Sequence, residues 1–176
     1  MMEDLSLHIL DIAENSVSAG ATRVLIAVNE NAARDVLTIR VTDNGRGMSR
    51  EERARVFDPF FTTGRKRTGL GLPLLAHTAG LCGGKVVLES VPKRGTKVVA
   101  TFRWGHIDRP PLTKMTETMM TLCFGHPEVD FLYRHTRDGR RFGFNRIAGH
   151  GRTAAAADII AVRDSLRSGL GRIGVS

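Results

Sequence analysis

The chain has 176 residues, 41% of them hydrophobic and 25% charged. That is ordinary globular usage for one domain, or one domain with an appendage, and it excludes a fibrous repeat or general disorder. No apolar run approaches the ~20 residues of a bilayer span. The acidic N-terminus is not a secretory signal, and Cys82 and Cys123 are too few for a disulfide framework, so a soluble cytoplasmic protein is expected. The formal charge of +8 is spread along the chain, since residues 1–104 and 105–176 each carry +4. With no separate basic tail, a dedicated nucleic-acid partner is not expected.

Leu5, Ile9, Ile12, Ala13 and Val17 recur at helical spacing, which predicts a helix over 5–19 closed by Gly20. Val24, Ile26 and Val28 alternate in 22–29, and Leu37, Ile39 and Val41 alternate in 35–42. These read as two strands of a hairpin, each with one buried face. A loop with two glycines follows, Asp43-Asn44-Gly45-Arg46-Gly47-Met48. Ser49 and Glu52 then form a capping-box signature for a short helix ending near Val56. Residues 57–68 are too irregular for one element. Gly69-Leu70-Gly71-Leu72 opens an apolar helix to about Leu81, stopped by Gly83-Gly84, and strands over 85–91 and 96–103 follow.

After Trp104 the texture changes. Pro110-Pro111 breaks the chain, and 113–123 reads as a helix. Strands over 129–134 and 141–144 flank Asp138-Gly139, a hairpin signal, and an amphipathic helix covers 154–166. This helix-hairpin-helix extension either adds a hairpin to the sheet edge or presents a partner surface. The pattern divides into 1–104 and an accessory segment, 105–176, of unassigned role. The fold class is α+β, a two-layer sandwich with helices on one face of a mixed sheet.

Three clusters carry chemistry. Asp11 and Asn15 are four apart and share a helix face with His8, so a carboxylate and an amide stand on one stripe. Asp43 ends a strand beside Gly45 and Gly47. That suits recognition of an exocyclic amine, with backbone free to approach a flat ring. Gly69-Leu70-Gly71-Leu72 lies where a loop becomes a helix, a place whose free N–H groups attract phosphate, and Arg65-Lys66-Arg67 precedes it. Cys82, Cys123, His106 and His126 lack the paired spacing of a zinc site.

Together and in order, these segments resemble the GHKL, or histidine kinase-like, ATPase superfamily. Residues 11–21 look like its N box, 43–48 its G1 box, 57–63 the F box of histidine kinases and 68–72 its G2 box, while Gly95-Thr96 matches the pair before the last strand. The likeness covers roughly 5–103 and is strongest to the catalytic domains of sensor histidine kinases and anti-sigma-factor kinases.

The resemblance implies a Bergerat-type Mg-ATP site. In it Asp43 accepts from the adenine amine with help from Thr96, and Gly45 and Gly47 line the base pocket. Asn15 holds Mg2+, while Thr68, Gly69, Leu70, Gly71 and Leu72 give backbone donors to the phosphates. Lys66 belongs to the closing lid over 61–68. Where hydrolytic relatives place a glutamate general base, this chain has Asp11, one methylene shorter, so slow hydrolysis is expected. Glu14 points about 100° round the helix and is not expected to substitute. The resemblance further implies an ATP-dependent protein kinase or weak ATPase acting on a protein partner or phosphoacceptor in trans, with a homodimer possible. The alternatives are an ATP-gated interaction module and a DNA-associated ATPase.

Overall fold

The computed structural model describes residues 4–59, 70–148 and 156–175. Its elements in chain order are α1 (Leu5–Ser18), β1 (Arg23–Asn31), β2 (Val36–Asp43), α2 (Arg50–Arg55), α3 (Gly71–Leu81), β3 (Lys85–Val91), β4 (Gly95–Arg103), α4 (Met115–Gly125), β5 (Asp130–Arg137), β6 (Arg140–Arg146) and α5 (Ala156–Arg172). The expected elements all fall here within a few residues, except that α5 runs six residues beyond its expected end at Leu166. Gly169 and Gly171 are poor helix formers by propensity, yet Leu166, Leu170 and Ile173 are buried at this end and hold the helix.

One sheet of order β3-β4-β2-β1-β5-β6 organises the molecule. All neighbouring strands are antiparallel except β1 and β5, which run parallel with Val24 opposite Phe131. Strict alternation puts Val24, Ile26 and Val28 of β1, Leu37, Ile39 and Val41 of β2, and Phe131 and Tyr133 of β5 on one face. Helices α1, α3, α4 and α5 pack on that face, and none of the described residues covers the other. The second hairpin therefore joins the sheet beside β1. Asp138 and Gly139 turn it with φ of 47° and 84°, the left-handed pair of a type I′ turn.

Both halves of the chain share one core, since Leu5, Ile9 and Ile26 lie in the same cluster as Met119, Leu122 and Phe131. A buried polar chain adds to that bond. The Tyr133 hydroxyl meets His135 Nδ1 at 2.6 Å, and His135 Nε2 meets Glu30 Oε1 at 2.8 Å. Trp104 Nε1–H donates to Glu30 Oε2 at 3.0 Å. Burial would raise the Glu30 carboxyl, but the bonds from His135 and Trp104 hold it below the usual range.

Local chemistry starts α1. Asp4 is its N-cap and accepts from Ser6 N at 2.8 Å, while its second oxygen takes Thr113 N at 3.0 Å and Thr113 Oγ1 at 2.7 Å. Burial opposes ionisation of Asp4, yet the Ser6 and Thr113 bonds lower its pKa. At the other end Gly20, at φ 77°, takes the left-handed step that turns the chain into β1. α2 opens on a complete capping box between Ser49 and Glu52.

Candidate functional site

The site forms at the end of the sheet where β2 finishes, opposite the start of β1. Asp43 is its centre. Oδ1 accepts the Gly45 N–H at 2.8 Å and the Thr96 N–H at 3.2 Å, and Oδ2 accepts the Ser16 hydroxyl at 2.7 Å. One carboxylate thus ties the loop after β2, the start of β4 and helix α1. Thr96 turns its own hydroxyl to Ser90, 2.8 Å away, so its link to Asp43 runs through backbone. Ser16 is the residue that sequence reasoning missed; it lies 27 positions from Asp43, and only packing α1 on the sheet brings them together.

Glycines shape the walls. A Cβ on Gly47, at φ 66°, would lie 2.0 Å from the Val91 carbonyl oxygen, and a Cβ on Gly95, at φ 99°, would lie 1.9 Å from the Asp43 carbonyl oxygen. These two positions let the loop after β2 pass against the β3–β4 turn. Gly45 is also buried, its α-carbon facing Ala19 and the Asp43 carboxylate. Arg46 N–H donates to the Ala19 carbonyl at 2.9 Å, and Lys93 N–H donates to the Arg46 carbonyl at 2.7 Å, fixing that loop on both sides.

A second cluster lies along α1. Asn15 is exposed, and its Nδ2 donates to Asp11 Oδ2 at 3.4 Å. Asp11 also abuts the first turn of α3, for a Cβ on Gly71 would fall 1.6 Å from Asp11 Oδ2. The start of α3 has no side-chain cap hydrogen bond from Leu70, and its first turn, the positive end of the helix dipole, abuts this cluster through Gly71. The structure therefore brings together Asp11, Asn15, Leu70, Gly71 and Leu72 at one pole, and Asp43, Gly45, Gly47 and Thr96 at the other. Lys66, Thr68 and Gly69, with the expected lid over 61–68, lie outside the described residues.

Glu14 turns away from this pole. Both its oxygens are 3.0 Å from His126 Nε2, at the C-terminal end of α4. His8 is 1% exposed, and neither ring nitrogen has a partner among the described residues. Burial lowers its pKa, against the opposing charge of Asp11. For Mg2+ the fit rests on Asn15: its amide N–H is spent on Asp11, while its carbonyl oxygen, a hard donor, has no partner among the described residues. Elsewhere, no group of three or more His, Cys, Asp or Glu residues is placed for a metal among the described residues. Cys82 and Cys123 are buried free thiols, and burial pushes Cys123 up to about 12.

Residues 3–106 match the family described as histidine kinase-, DNA gyrase B-, and HSP90-like ATPase. The chain belongs to this ATPase family. Residues 3–106 are thus an ATP-binding, histidine kinase-like domain, and the segments read as the four boxes all lie within that range. Among curated relatives, sporulation kinase D of Bacillus subtilis is 34% identical over 94 residues, covering 53% of this chain and 19% of that protein. The sensor-type histidine kinase PrrB of Mycobacterium leprae is 39% identical over 100 residues, covering 54% and 22%. The chain thus spans about a fifth of the length of these kinases.

Among solved structures, the MutL ATPase domain of Aquifex aeolicus complexed with ADP superposes with a TM-score of 0.59 at 17% identity, covering 93% of this chain and 70% of that one. The N-terminal domain of a DNA repair protein gives 0.64 at 14% identity, covering 92% and 57%. These two likenesses establish the α+β sandwich fold. No helix of the described residues is long and apolar enough to cross a membrane.

Proposed function

We propose that this chain binds Mg-ATP between the two poles and uses it to phosphorylate or regulate a partner protein in trans, with slow intrinsic hydrolysis. The observation that carries this reading is the Asp43 carboxylate. It is held in place by donors from three segments, and Oδ2, with one protein donor, keeps a lone pair for an exocyclic amine. Gly45 and Gly47 keep side chains out of the plane a purine would occupy. At the other pole the uncapped first turn of α3 offers N–H groups to the phosphates.

Mg2+, held through the Asn15 carbonyl oxygen, would neutralise charge on the phosphates. Asn15 then orients, and Asp11 takes the general-base slot. The reach of Asp11 is shorter than a glutamate's by about 1.5 Å, and a misplacement of about 1 Å can cost ~100-fold in rate. Slow water attack leaves bound ATP available to a protein acceptor. The same short base also favours a second reading, in which ATP gates a protein interface without transfer.

Titration calorimetry with Mg-ATP tests the binding half. Asp43→Asn should weaken ATP about 10- to 150-fold, the worth of one charge-assisted hydrogen bond. Heat-silent titration of folded wild-type protein would overturn the reading. Labelled ATP with candidate acceptors tests the transfer half: label on none of them, with ATP binding intact, leaves the gating reading.

A further inference from the structure

The uncovered face of the sheet gathers the charge that the sequence scatters. In its three central cross-strand rows, the outward positions hold five basic residues, Lys85, Lys97, Arg40, Arg134 and Arg141, and one acidic residue, Glu89. Glu89 is engaged with Lys97 at 3.0 Å. The other four basic side chains have no carboxylate partner among the described residues. Arg40, Arg134, Arg141 and Lys85 are all exposed. Of the five basic residues, Arg134 and Arg141 lie after Trp104 and the other three before it, and only the pairing of β5 with β1 sets them side by side.

We propose that this face binds the phosphate backbone of a nucleic-acid duplex, without reading sequence. Strands lie about 4.8 Å apart, so Lys85 on β3 and Arg141 on β6, in one row, stand roughly 24 Å apart across five gaps. A duplex carries one charge per ~1.7 Å, so that span meets ample phosphate.

The residue types select the occupant. Between Lys85 and Arg141 the row carries threonine and asparagine, which donate to phosphate oxygens, while the other two rows also hold Val87, Val99, Ala27, Leu25 and Leu132. The rows carry no aromatic side chain, the element on which single strands stack and which anchors protein interfaces and bilayer surfaces. The site is separate from the ATP pole and does not depend on it.

Fluorescence anisotropy with a labelled duplex of arbitrary sequence tests the proposal on the full chain. With about four phosphate contacts, affinity should fall about 100-fold between ~50 and ~200 mM salt. The double variant Arg40→Glu/Arg134→Glu should weaken binding at least about tenfold at the lower salt and reduce the salt slope by about 2. The control Arg163→Glu/Arg167→Glu makes the same charge change on α5, in the helix layer.

An equal loss in the control would show a whole-molecule charge effect and overturn the assignment. So would absence of duplex binding at low salt. Tighter binding of the matching single strand, of polyglutamate or of anionic vesicles would move the face to another occupant and overturn it too. ATP titration of each variant, expected unchanged, separates this result from the fate of the nucleotide reading.

Discussion

The two poles of the proposed nucleotide site are built on opposite principles. At the base pole every oxygen of Asp43 has a donor, the loop is pinned by Arg46 and Lys93, and two glycines allow backbone contact with no side chain between. At the proposed phosphate pole α3 begins without a side-chain cap, Asn15 is exposed and makes one long bond, and buried His8 has no partner among the described residues. The first pole is preorganised, so its cost is met on folding. In the proposed reading the second holds polar groups that a nucleotide would engage, which is where a nucleotide-dependent change would be cheapest.

The comparison breaks most sharply at Asp11. Asp11→Ala should lower steady-state ATP hydrolysis by up to about 100-fold, what its short reach leaves of a general base's contribution, while ATP affinity changes little; an equal fall in affinity would place Asp11 in binding instead. Asp43→Ala should do the reverse. It should lose ATP affinity and also stability, because the Gly45 and Thr96 N–H groups lose their acceptor at about 1–3 kcal/mol for each donor left buried, while the Ser16 hydroxyl keeps the Ile12 carbonyl, and thermal denaturation would register the loss.

Gly47→Ala tests the rigidity of the base pole. A left-handed φ costs about 1–2 kcal/mol, and the added Cβ meets backbone at Val91, so urea midpoints should drop while the far-end Glu30 network stays intact. Glu14→Gln, which removes the carboxylate facing partly exposed His126, should cost less than about 1 kcal/mol by the same measurement.

The finest test is pH. The folded pKa of His8 lies below its ordinary 6.5, so below pH 6.5 the unfolded chain takes up a proton that the folded chain refuses. Stability should therefore fall as pH drops from 6.5 toward the folded pKa. His8→Leu should flatten that slope, and an unchanged slope would show that His8 has a partner in solution. Glu30 and Asp4, held below their ordinary values, add stability above pH 4.5 and 3.8 that is lost as pH falls through their folded values.

Much of this was legible because its causes are local. Alternation in Val24, Ile26 and Val28 sets a strand face whatever the neighbours are, and Ser49 with Glu52 caps α2 within four residues. The four boxes were legible as contiguous words. What escaped was contact between distant segments: the Ser16–Asp43 bond, the Glu14–His126 pair, and the orphaned ring of His8. No local pattern distinguishes a helix serine that caps a binding carboxylate from one that faces water.

By itself the sequence determined the order of elements, the two-layer class and the family to which residues 3–106 belong, since side-chain period and short motifs depend on neighbours a few positions away. Only the tertiary structure decided that β5 lies beside β1, that both halves share one core, and that evenly scattered arginines collect on one face. Strand pairing is the reason: it joins residues about a hundred positions apart through backbone hydrogen bonds that carry no residue identity, so nothing in the local pattern announces them.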